Sequence, residues 1–137
     1  LPRLREAGSA AIVNVSSTYA LVWRGEFAAY DASKAALLSL TRSLAFEEAA
    51  HGIRVNAVCP QYVETEIISH LITKEMRERG VTQQEAASGF TRANVLGRLG
   101  QPEEIADLVA YLVSDRADYV TGSSVSIDGG YGRYIFG

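Results

Sequence analysis

Residues 17–34 read STYALVWRGEFAAYDASK, and the rest of the chain is organised around this stretch. It follows an apolar run, Ala10 to Val15, whose β-branched residues suit a central parallel strand covered on both faces. Tyr30 and Lys34 stand four residues apart at the start of a long helical pattern. Residues at this spacing share one face of a helix, with Cβ atoms about 5–6 Å apart. The sequence therefore predicts a phenol and an ammonium that address the same point in space.

This pairing is a way to make a tyrosine serve as a base. An isolated tyrosine titrates near pH ~10, and a cation a few ångströms away stabilises the phenolate form. Ser17 stands just beyond the predicted strand, so its hydroxyl should reach the carboxyl edge of the sheet and bind a carbonyl or alcohol oxygen. We expect Ser17, Tyr30 and Lys34 to converge on one substrate oxygen.

Composition limits the class of protein. The chain has 137 residues, a formal net charge of −3 and 47% hydrophobic residues, which is enough for one domain with a core. It has no basic footprint, so we expect no nucleic-acid partner. The single cysteine excludes an internal disulfide and fits a cytoplasmic protein. No signal-peptide core and no apolar run of ~18–20 residues occurs, so we predict a soluble chain with no membrane partner.

The middle of the chain predicts a long helix followed by a strand. Phe27 to Ala50 reads as one helix covered on two sides, because its apolar residues spread too widely for a single stripe. Gly52 suits the left-handed position that ends such a helix. Ile53 to Val58 reads as a second buried strand, and Pro60 is expected to stop it.

The second half of the chain is helical until its last strand. Two helical pieces are predicted, the first over Ile67 to Arg79 and the second after a capping box that begins at Thr82. Pro102 should open a further helix, since proline favours the first helical position. The expected core positions of that helix are Ile105, Leu108, Val109, Leu112 and Val113. A final strand is expected over Ser124 to Ile127.

Two groups of apolar residues stand outside these elements. In the loop after the first strand, Tyr19, Val22 and Trp23 either line a substrate pocket or pack beneath the loop as a small cluster. At the end of the chain, the aromatic and aliphatic residues are typical of a subunit contact. These terminal residues are Tyr131, Tyr134, Ile135 and Phe136.

The motifs, taken together, resemble those of the short-chain dehydrogenase/reductase family. Ser17 precedes Tyr30 by thirteen positions, and Tyr30 opens the pattern Tyr-x-x-x-Lys, as in that family. The flanking motifs follow the family's order and approximate spacing over essentially the whole chain. They are IVNVSS at 12–17, RVNAVCP at 54–60, GRLGQPEE at 97–104, VTG at 120–122 and DGG at 128–130.

The resemblance implies an α/β fold, a Rossmann-like doubly wound parallel sheet. This chain would form only its C-terminal portion, about three strands with flanking helices. Residues 1–137 are expected to be the catalytic and substrate-binding part of one domain. The family's N-terminal nucleotide-binding part, with its glycine-rich turn, its Asn-Asn-Ala-Gly segment and a further catalytic Asn, is absent from this chain, and no G-x-G-x-x-G occurs in it.

The resemblance also implies a role for each site residue. Tyr30 is expected to be the general acid and base, Lys34 to stabilise its phenolate and bind the nicotinamide ribose, and Ser17 to orient the substrate oxygen. The expected cofactor contacts, to NAD or NADP, are Tyr30, Lys34, Pro60, Val63 and Thr65. Gln61 and Ala20 occupy positions where the family usually has glycine. No metal ligands are predicted.

The sequence thus predicts an NAD(P)-dependent oxidoreductase that moves a hydride between nicotinamide and a secondary alcohol or ketone. By the same resemblance, its long helix would pair in a homodimer or homotetramer. The alternative is a non-catalytic truncated relative or fragment that acts only in assembly. A serine hydrolase is a distant third, because Ser17 lies in no G-x-S-x-G elbow. The substrate, and the choice between NAD and NADP, stay open at this point.

Overall fold

The computed structural model of the chain describes residues 1–22, 27–92 and 94–131. These residues form an α/β arrangement in which helices flank a sheet of three parallel strands in the order β1-β2-β3. The elements are α1 (Pro2–Glu6), β1 (Ala10–Val15), α2 (Ala28–Glu48), β2 (Ile53–Pro60), α3 (Glu66–Arg79), α4 (Gln83–Thr91), α5 (Pro102–Val113) and β3 (Ser124–Ile127). The predicted α/β class and the three parallel strands are confirmed.

The register of the sheet places the site. Ala10 pairs with Ile53 and Val15 with Val58, while Pro60 at the end of β2 pairs with Ile127 at the end of β3. All three carboxyl ends therefore meet at one edge of the sheet, where ligands of open parallel sheets bind. Pro60 is the last residue of its strand and not the residue that stops it, because proline lacks only the N–H and its carbonyl remains available.

The centre of the core is β2. Val55, Ala57 and Val58 have no exposed surface, as expected for a strand with a neighbour on each side. The buried Asn56 donates from Nδ2 to the carbonyl of Val120 at 2.7 Å, and its Oδ1 accepts from the backbone N–H of Ser123 at 3.1 Å. The nitrogen and the oxygen of this buried amide are therefore both hydrogen-bonded to the segment that leads into β3.

The prediction that β1 is covered on both faces is wrong for this chain. Its residues are only partly buried, and Val15 is half exposed. In the described residues β1 is an edge strand that pairs with β2 alone. An apolar strand with one unpaired edge is a template for pairing with further strands.

The long helix, predicted over Phe27 to Ala50, runs from Ala28 to Glu48, and only one side of it is covered. Leu38, Thr41 and Ala45 are buried, whereas Leu40 and Phe46 on other faces are 49% and 87% exposed. The prediction of cover on two sides is therefore wrong within one copy of the chain. A short 3₁₀ turn ends at Gly52, whose φ is 70°. A Cβ at Gly52 would lie 2.3 Å from the carbonyl oxygen of Gly8. Only glycine therefore fits at this position, for lack of space as well as for its positive φ.

The C-terminal helices begin where their caps predict. Thr82 and Glu85 form the predicted capping box of α4, and Pro102 is at the start of α5. Of the expected core positions in α5, only Leu112 is fully buried, and Val113 is 47% exposed. The prediction for Val113 is wrong, because α5 packs on the edge strand β1 as well as on β2 and is covered on one side.

No helix in the described part of the chain is long and apolar enough to cross a membrane.

An ion pair between the half-exposed Arg5 and the buried Glu48 ties the first helix to the end of the long helix. Glu48 is 1% exposed, and its two carboxylate oxygens accept from the guanidinium of Arg5 at 2.7 and 2.5 Å. These hydrogen bonds hold the pKa of Glu48 below its usual range, although burial acts in the opposite direction. The carboxylate is therefore charged and paired in the folded protein at neutral pH.

We predict that Glu48→Gln lowers the melting temperature at neutral pH and that this difference disappears in acid. Because folding lowers the pKa of Glu48, its pairing stabilises the fold above the unfolded value of about 4.3 and is lost as pH falls through the folded value. Thermal unfolding of both proteins across this range measures the effect. The control Arg79→Gln, which breaks an exposed pair with Glu75, should change little. A Glu48→Gln difference that is independent of pH would contradict the assignment.

Candidate active site

Ser17 is held at the carboxyl end of β1 by the turn that follows it. The sequence predicts only a loop here, but Thr18–Ala20 forms a 3₁₀ turn with Ser17 as its N-cap. The Ser17 Oγ accepts from the backbone N–H of Tyr19 at 3.2 Å. Serine favours this cap position because its hydroxyl satisfies an otherwise unpaired N–H. The residue is 5% exposed, so its hydroxyl has one fixed place at the sheet edge.

Tyr30 and Lys34 lie in the first turns of α2, next to the end of β1. The Lys34 Nζ is 5.6 Å from the centroid of the Tyr30 ring and donates to the carbonyl of Val15 at 3.0 Å. The Ser16 Oγ donates to the carbonyl of Lys34 at 2.9 Å. Strand and helix are therefore joined in both directions, and the ammonium is held beside the phenol as the spacing predicts.

The residues after β2 form a loop that is anchored to a distant segment. Val63 makes a parallel bridge with Gly100, in which the Gly100 N–H donates to Tyr62 and the Glu64 N–H donates to Gly100. The Thr65 Oγ1 donates to the carbonyl of Val63 at 3.2 Å. These contacts present Val63 and Thr65 at the carboxyl edge of the sheet.

The segment that anchors this loop is itself closed by an ion pair. The Arg98 guanidinium donates to both carboxylate oxygens of Glu104, at 2.8 and 2.7 Å. The pKa of Glu104 is lowered to about 2, first by Arg98 and then by the backbone N–H of Gln101. This explains the GRLGQPEE motif, since the glutamate caps α5 and holds the arginine of the preceding turn.

One cleft collects most of the predicted site. It has a volume of about 480 Å³ and contains four of the predicted residues, Ser17, Tyr30, Val63 and Thr65. Lys34 and Pro60 do not belong to its lining in the described part of the chain; Lys34 lies beside Tyr30, and the Pro60 carbonyl faces the hydroxyl of Thr18. The structure therefore brings the predicted catalytic serine and tyrosine to one opening, with the lysine next to it.

The rest of the lining contains residues that sequence reasoning did not assign to the site, except Tyr19, for which a pocket lining was one of two alternatives. Most are apolar or aromatic, and the additional residues are Tyr19, Phe27, Gln61, Tyr62, Ile67, Ile68 and Leu71. A signal was present for the last three, because Ile67, Ile68 and Leu71 fall at i, i+1 and i+4 of a predicted helix that directly follows the loop. No local pattern marked Phe27.

The alternatives for the loop after β1 are resolved for one residue. Tyr19 is 7% exposed and also lines the cleft, so it both packs beneath the loop and forms part of a pocket. Val22 is half-buried and does not belong to the described lining. Trp23 and the tail residues Tyr134, Ile135 and Phe136 lie outside the described residues.

The position of the cleft suits a nicotinamide cofactor. It lies beyond the carboxyl ends of β1 and β2, where dinucleotides bind in sheets of this type. Val63 and Thr65 offer a backbone carbonyl and a hydroxyl in the cleft that Tyr30 lines, and Phe27, Ile67, Ile68 and Leu71 add apolar surface. The chemistry of these groups fits a flat ring with a polar amide at its edge.

The chain matches known proteins over most of its length. The family described as "Enoyl-(Acyl carrier protein) reductase" matches residues 1–132. The cis-4-hydroxycyclohexanecarboxylate dehydrogenase of Sinomonas cyclohexanicum is 41% identical over 131 residues, which are 96% of this chain and 48% of that protein.

Solved structures agree with this match. A short chain dehydrogenase family protein from Francisella tularensis superimposes with a TM-score of 0.86 at 38% identity, covering 90% of this chain and 51% of that one. The L-sorbose reductase from Gluconobacter frateurii, solved with NADPH and L-sorbose, gives a TM-score of 0.88 at 28% identity, with 96% and 51% covered. The sheet is thus part of a Rossmann-type fold, and the chain spans about half the length of the relatives it matches. The chain belongs to the short-chain dehydrogenase/reductase family.

Proposed function

We propose that the protein containing this chain is an NAD(P)-dependent oxidoreductase acting on a secondary alcohol or ketone. The observation that carries the proposal is that Ser17 and Tyr30 line one largely apolar cleft while Lys34 stands beside Tyr30. A proton donor, a second hydroxyl and a fixed cation at the edge of a parallel sheet are what carbonyl reduction needs. The bound nicotinamide would supply or accept the hydride.

In this proposal Tyr30 and Ser17 act on the same substrate oxygen. When a carbonyl is reduced, charge builds on its oxygen, so two hydrogen-bond donors aimed there stabilise the transition state. Tyr30 donates the proton in reduction and accepts it in alcohol oxidation. Ser17 stays a donor that orients the oxygen, because its Oγ is held by the N–H of Tyr19.

Lys34 would serve through its fixed charge. Its ammonium is held by the Val15 carbonyl and so remains near the Tyr30 ring, where it favours the phenolate. Within the described residues, its Nζ donates only to that carbonyl, which leaves two N–H groups, and we propose the nicotinamide ribose as one further acceptor. Pro60, Val63 and Thr65 would contact the nicotinamide end. Either NAD or NADP fits, because that choice is made near the adenosine ribose, in the nucleotide-binding part.

We propose that residues 1–137 are the C-terminal catalytic part of one domain whose nucleotide-binding part is separate from them in the sequence. Two observations support this: the chain matches about half of each relative, and β1 has an unpaired edge in the described residues. Two of the relatives above are named for cis-4-hydroxycyclohexanecarboxylate and for the sugar L-sorbose, compounds that carry a secondary alcohol or a ketone. A cytoplasmic location fits the lone cysteine, Cys59, which is buried.

We predict that Tyr30→Phe in the full-length protein lowers kcat by at least about 10²-fold while cofactor binding is largely kept. The variant removes only the transferable proton. Lys34→Met should lose both turnover and tight cofactor binding. Absorbance of the reduced nicotinamide measures turnover, and calorimetry measures binding.

The matched control is Tyr111→Phe, which removes a phenolic hydroxyl group from an exposed residue of α5. It should leave both quantities unchanged. Near-normal turnover by Tyr30→Phe would sink the proposed mechanism, whereas absence of turnover in the unmodified full-length protein would favour a protein that acts only in assembly.

We also propose a homodimer or homotetramer formed through the outer side of α2. Leu40 and Phe46 are exposed there, and the small residues Ala36 and Ser43 would allow close approach of a second helix. The outer side of α2 is either a subunit contact or is covered by another part of the same protein. The oligomeric state distinguishes the two cases.

We predict that Ser43→Arg lowers the sedimentation coefficient of the full-length protein toward that of a monomer. Ser43 is exposed in the single chain, so the substitution should disturb pairing and not the fold. Gln84→Arg, at an exposed position of α4, serves as the control and should sediment like the unmodified protein. An unmodified protein that is monomeric at micromolar concentration would refute the proposal.

We predict that residues 1–137 alone bind neither NADH nor NADPH with micromolar affinity. Phosphate capture in this fold depends on backbone N–H groups at a glycine turn that opens a helix, in the nucleotide-binding part. The open edge of β1 should also make the isolated chain poorly soluble or prone to exchange strands. Calorimetry with both cofactors decides the question, and micromolar binding would show that the second part is not needed.

A further inference from the structure

Three polar side chains of the cleft lining, Tyr19, Gln61 and Tyr62, form a directed series of hydrogen bonds with the neighbouring Thr18. The Thr18 Oγ1 donates to the Gln61 Oε1 at 2.9 Å, and the Gln61 Nε2 donates to the Tyr19 hydroxyl at 3.4 Å. The Tyr19 hydroxyl donates to the Tyr62 hydroxyl at 2.6 Å. A glutamine suits the second place, since it accepts at one end of its amide and donates at the other.

The direction of this series leaves one proton for a ligand. Tyr19 is buried, and burial, followed by its hydrogen bond to Tyr62, raises the pKa of its hydroxyl, so Tyr19 remains a neutral donor. Tyr62 accepts that proton and still carries its own. Within the described residues, no protein group accepts the Tyr62 proton, and Tyr62 lines the same cleft as Ser17 and Tyr30.

The Tyr62 ring is held in place by aromatic contacts. Its centroid is 5.0 Å from that of Phe90 with the rings at 90°, and 6.4 Å from that of Tyr131 at 81°. Such edge-to-face pairs are favourable and restrict the ring. The hydroxyl is therefore presented from a rigid wall, which is the condition for a specific hydrogen bond to a ligand.

Several other residues of the lining are apolar. Phe27 and the first turns of α3, with Ile67, Ile68 and Leu71, face the same space. The described lining contains no lysine, arginine or histidine. An anionic group in this cleft would lose its hydration without gaining a cation, which is costly.

We infer that Tyr62 is a second polar contact for the substrate and that Gln61 is its positioning residue, so the site selects uncharged secondary alcohols or ketones with a compact apolar body and a second acceptor oxygen. This inference rests on the proposed function, because Ser17 and Tyr30 hold the reacting oxygen. Gln61 replaces the glycine usual in the family, so this link between the loops after β1 and β2 is a feature of this chain.

The test compares three ketones with one ring: cyclohexanone, 4-hydroxycyclohexanone and 4-oxocyclohexanecarboxylate. The full-length enzyme should show about tenfold higher kcat/KM for 4-hydroxycyclohexanone than for cyclohexanone, the effect of one neutral hydrogen bond. The difference should lie in KM. The carboxylate should be the poorest of the three.

The variants are Tyr62→Phe, Gln61→Met and the control Tyr111→Phe, each judged by the ratio of kcat/KM for the first two ketones. Measuring both ketones on one preparation cancels any general loss of folded enzyme. Tyr62→Phe should bring the ratio to about 1, and Gln61→Met should lower it, since methionine keeps the volume of glutamine without its hydrogen bonds. Tyr111→Phe should leave the ratio unchanged.

Three results would overturn the inference: a wild-type ratio near 1, a ratio unchanged in Tyr62→Phe and Gln61→Met, or a preference for the carboxylate. An enzyme that reduces none of the three ketones would overturn the inference as well. The proposed function stands in each case if other secondary alcohols are oxidised and Tyr30→Phe is inactive. The proposed function fails if no alcohol or ketone is turned over.

Discussion

The hydrogen bonds between the end of β1 and the start of α2 are the constraint on which the site depends. Ser16 donates to the carbonyl of Lys34, and the Lys34 ammonium donates to the carbonyl of Val15. These bonds fix the serine at the strand end relative to the tyrosine of the helix, although residues 18–27 separate the strand end from the helix in the sequence. Lys34 thus has a structural role that is independent of any cofactor. Its position also places a positive charge beside the phenol.

A second link completes the cleft from the other strand. The loop after β2 is held by the Val63 bridge to Gly100 and by the contacts of Gln61 with Thr18 and Tyr19. The two loops that carry the site are therefore joined to each other and to the sheet. A rigid frame of this kind holds reacting groups in place before the substrate arrives, which is where much of the rate enhancement of enzymes arises.

Much of this fold could be predicted because its signals are local. Gly52, Thr82 and Pro102 mark helix ends through backbone conformation and capping, and the apolar run of β2 marks a central strand. The exposure of Val15 and Val113 could not be predicted, because it depends on which neighbours cover an element. The same is true of the single-sided cover of α2. Sequence patterns report a residue's preference, whereas burial depends on the rest of the assembly.

In the candidate site, too, local patterns predicted some features, whereas others depend on contacts between distant parts of the chain. The spacing of Tyr30 and Lys34 predicted their proximity, since both lie on one helix. The contacts of Thr18, Tyr19, Gln61 and Tyr62 join residues about forty positions apart, as in the pair Thr18 and Gln61 with a separation of 43. No periodicity encodes such a pair. The sequence marks Gln61 only as a departure from the family's glycine, and its partners are set by the three-dimensional fold.

The central claim is that Ser17 and Tyr30 act on one substrate oxygen next to a nicotinamide that Lys34 helps to hold. A crystal structure of the full-length protein with its cofactor and a bound secondary alcohol tests it most directly. The account predicts an alcohol oxygen about 3 Å from both the Ser17 Oγ and the Tyr30 hydroxyl, with the Lys34 Nζ at the ribose. An alcohol oxygen that contacts neither hydroxyl, or a ribose distant from Lys34, would contradict it.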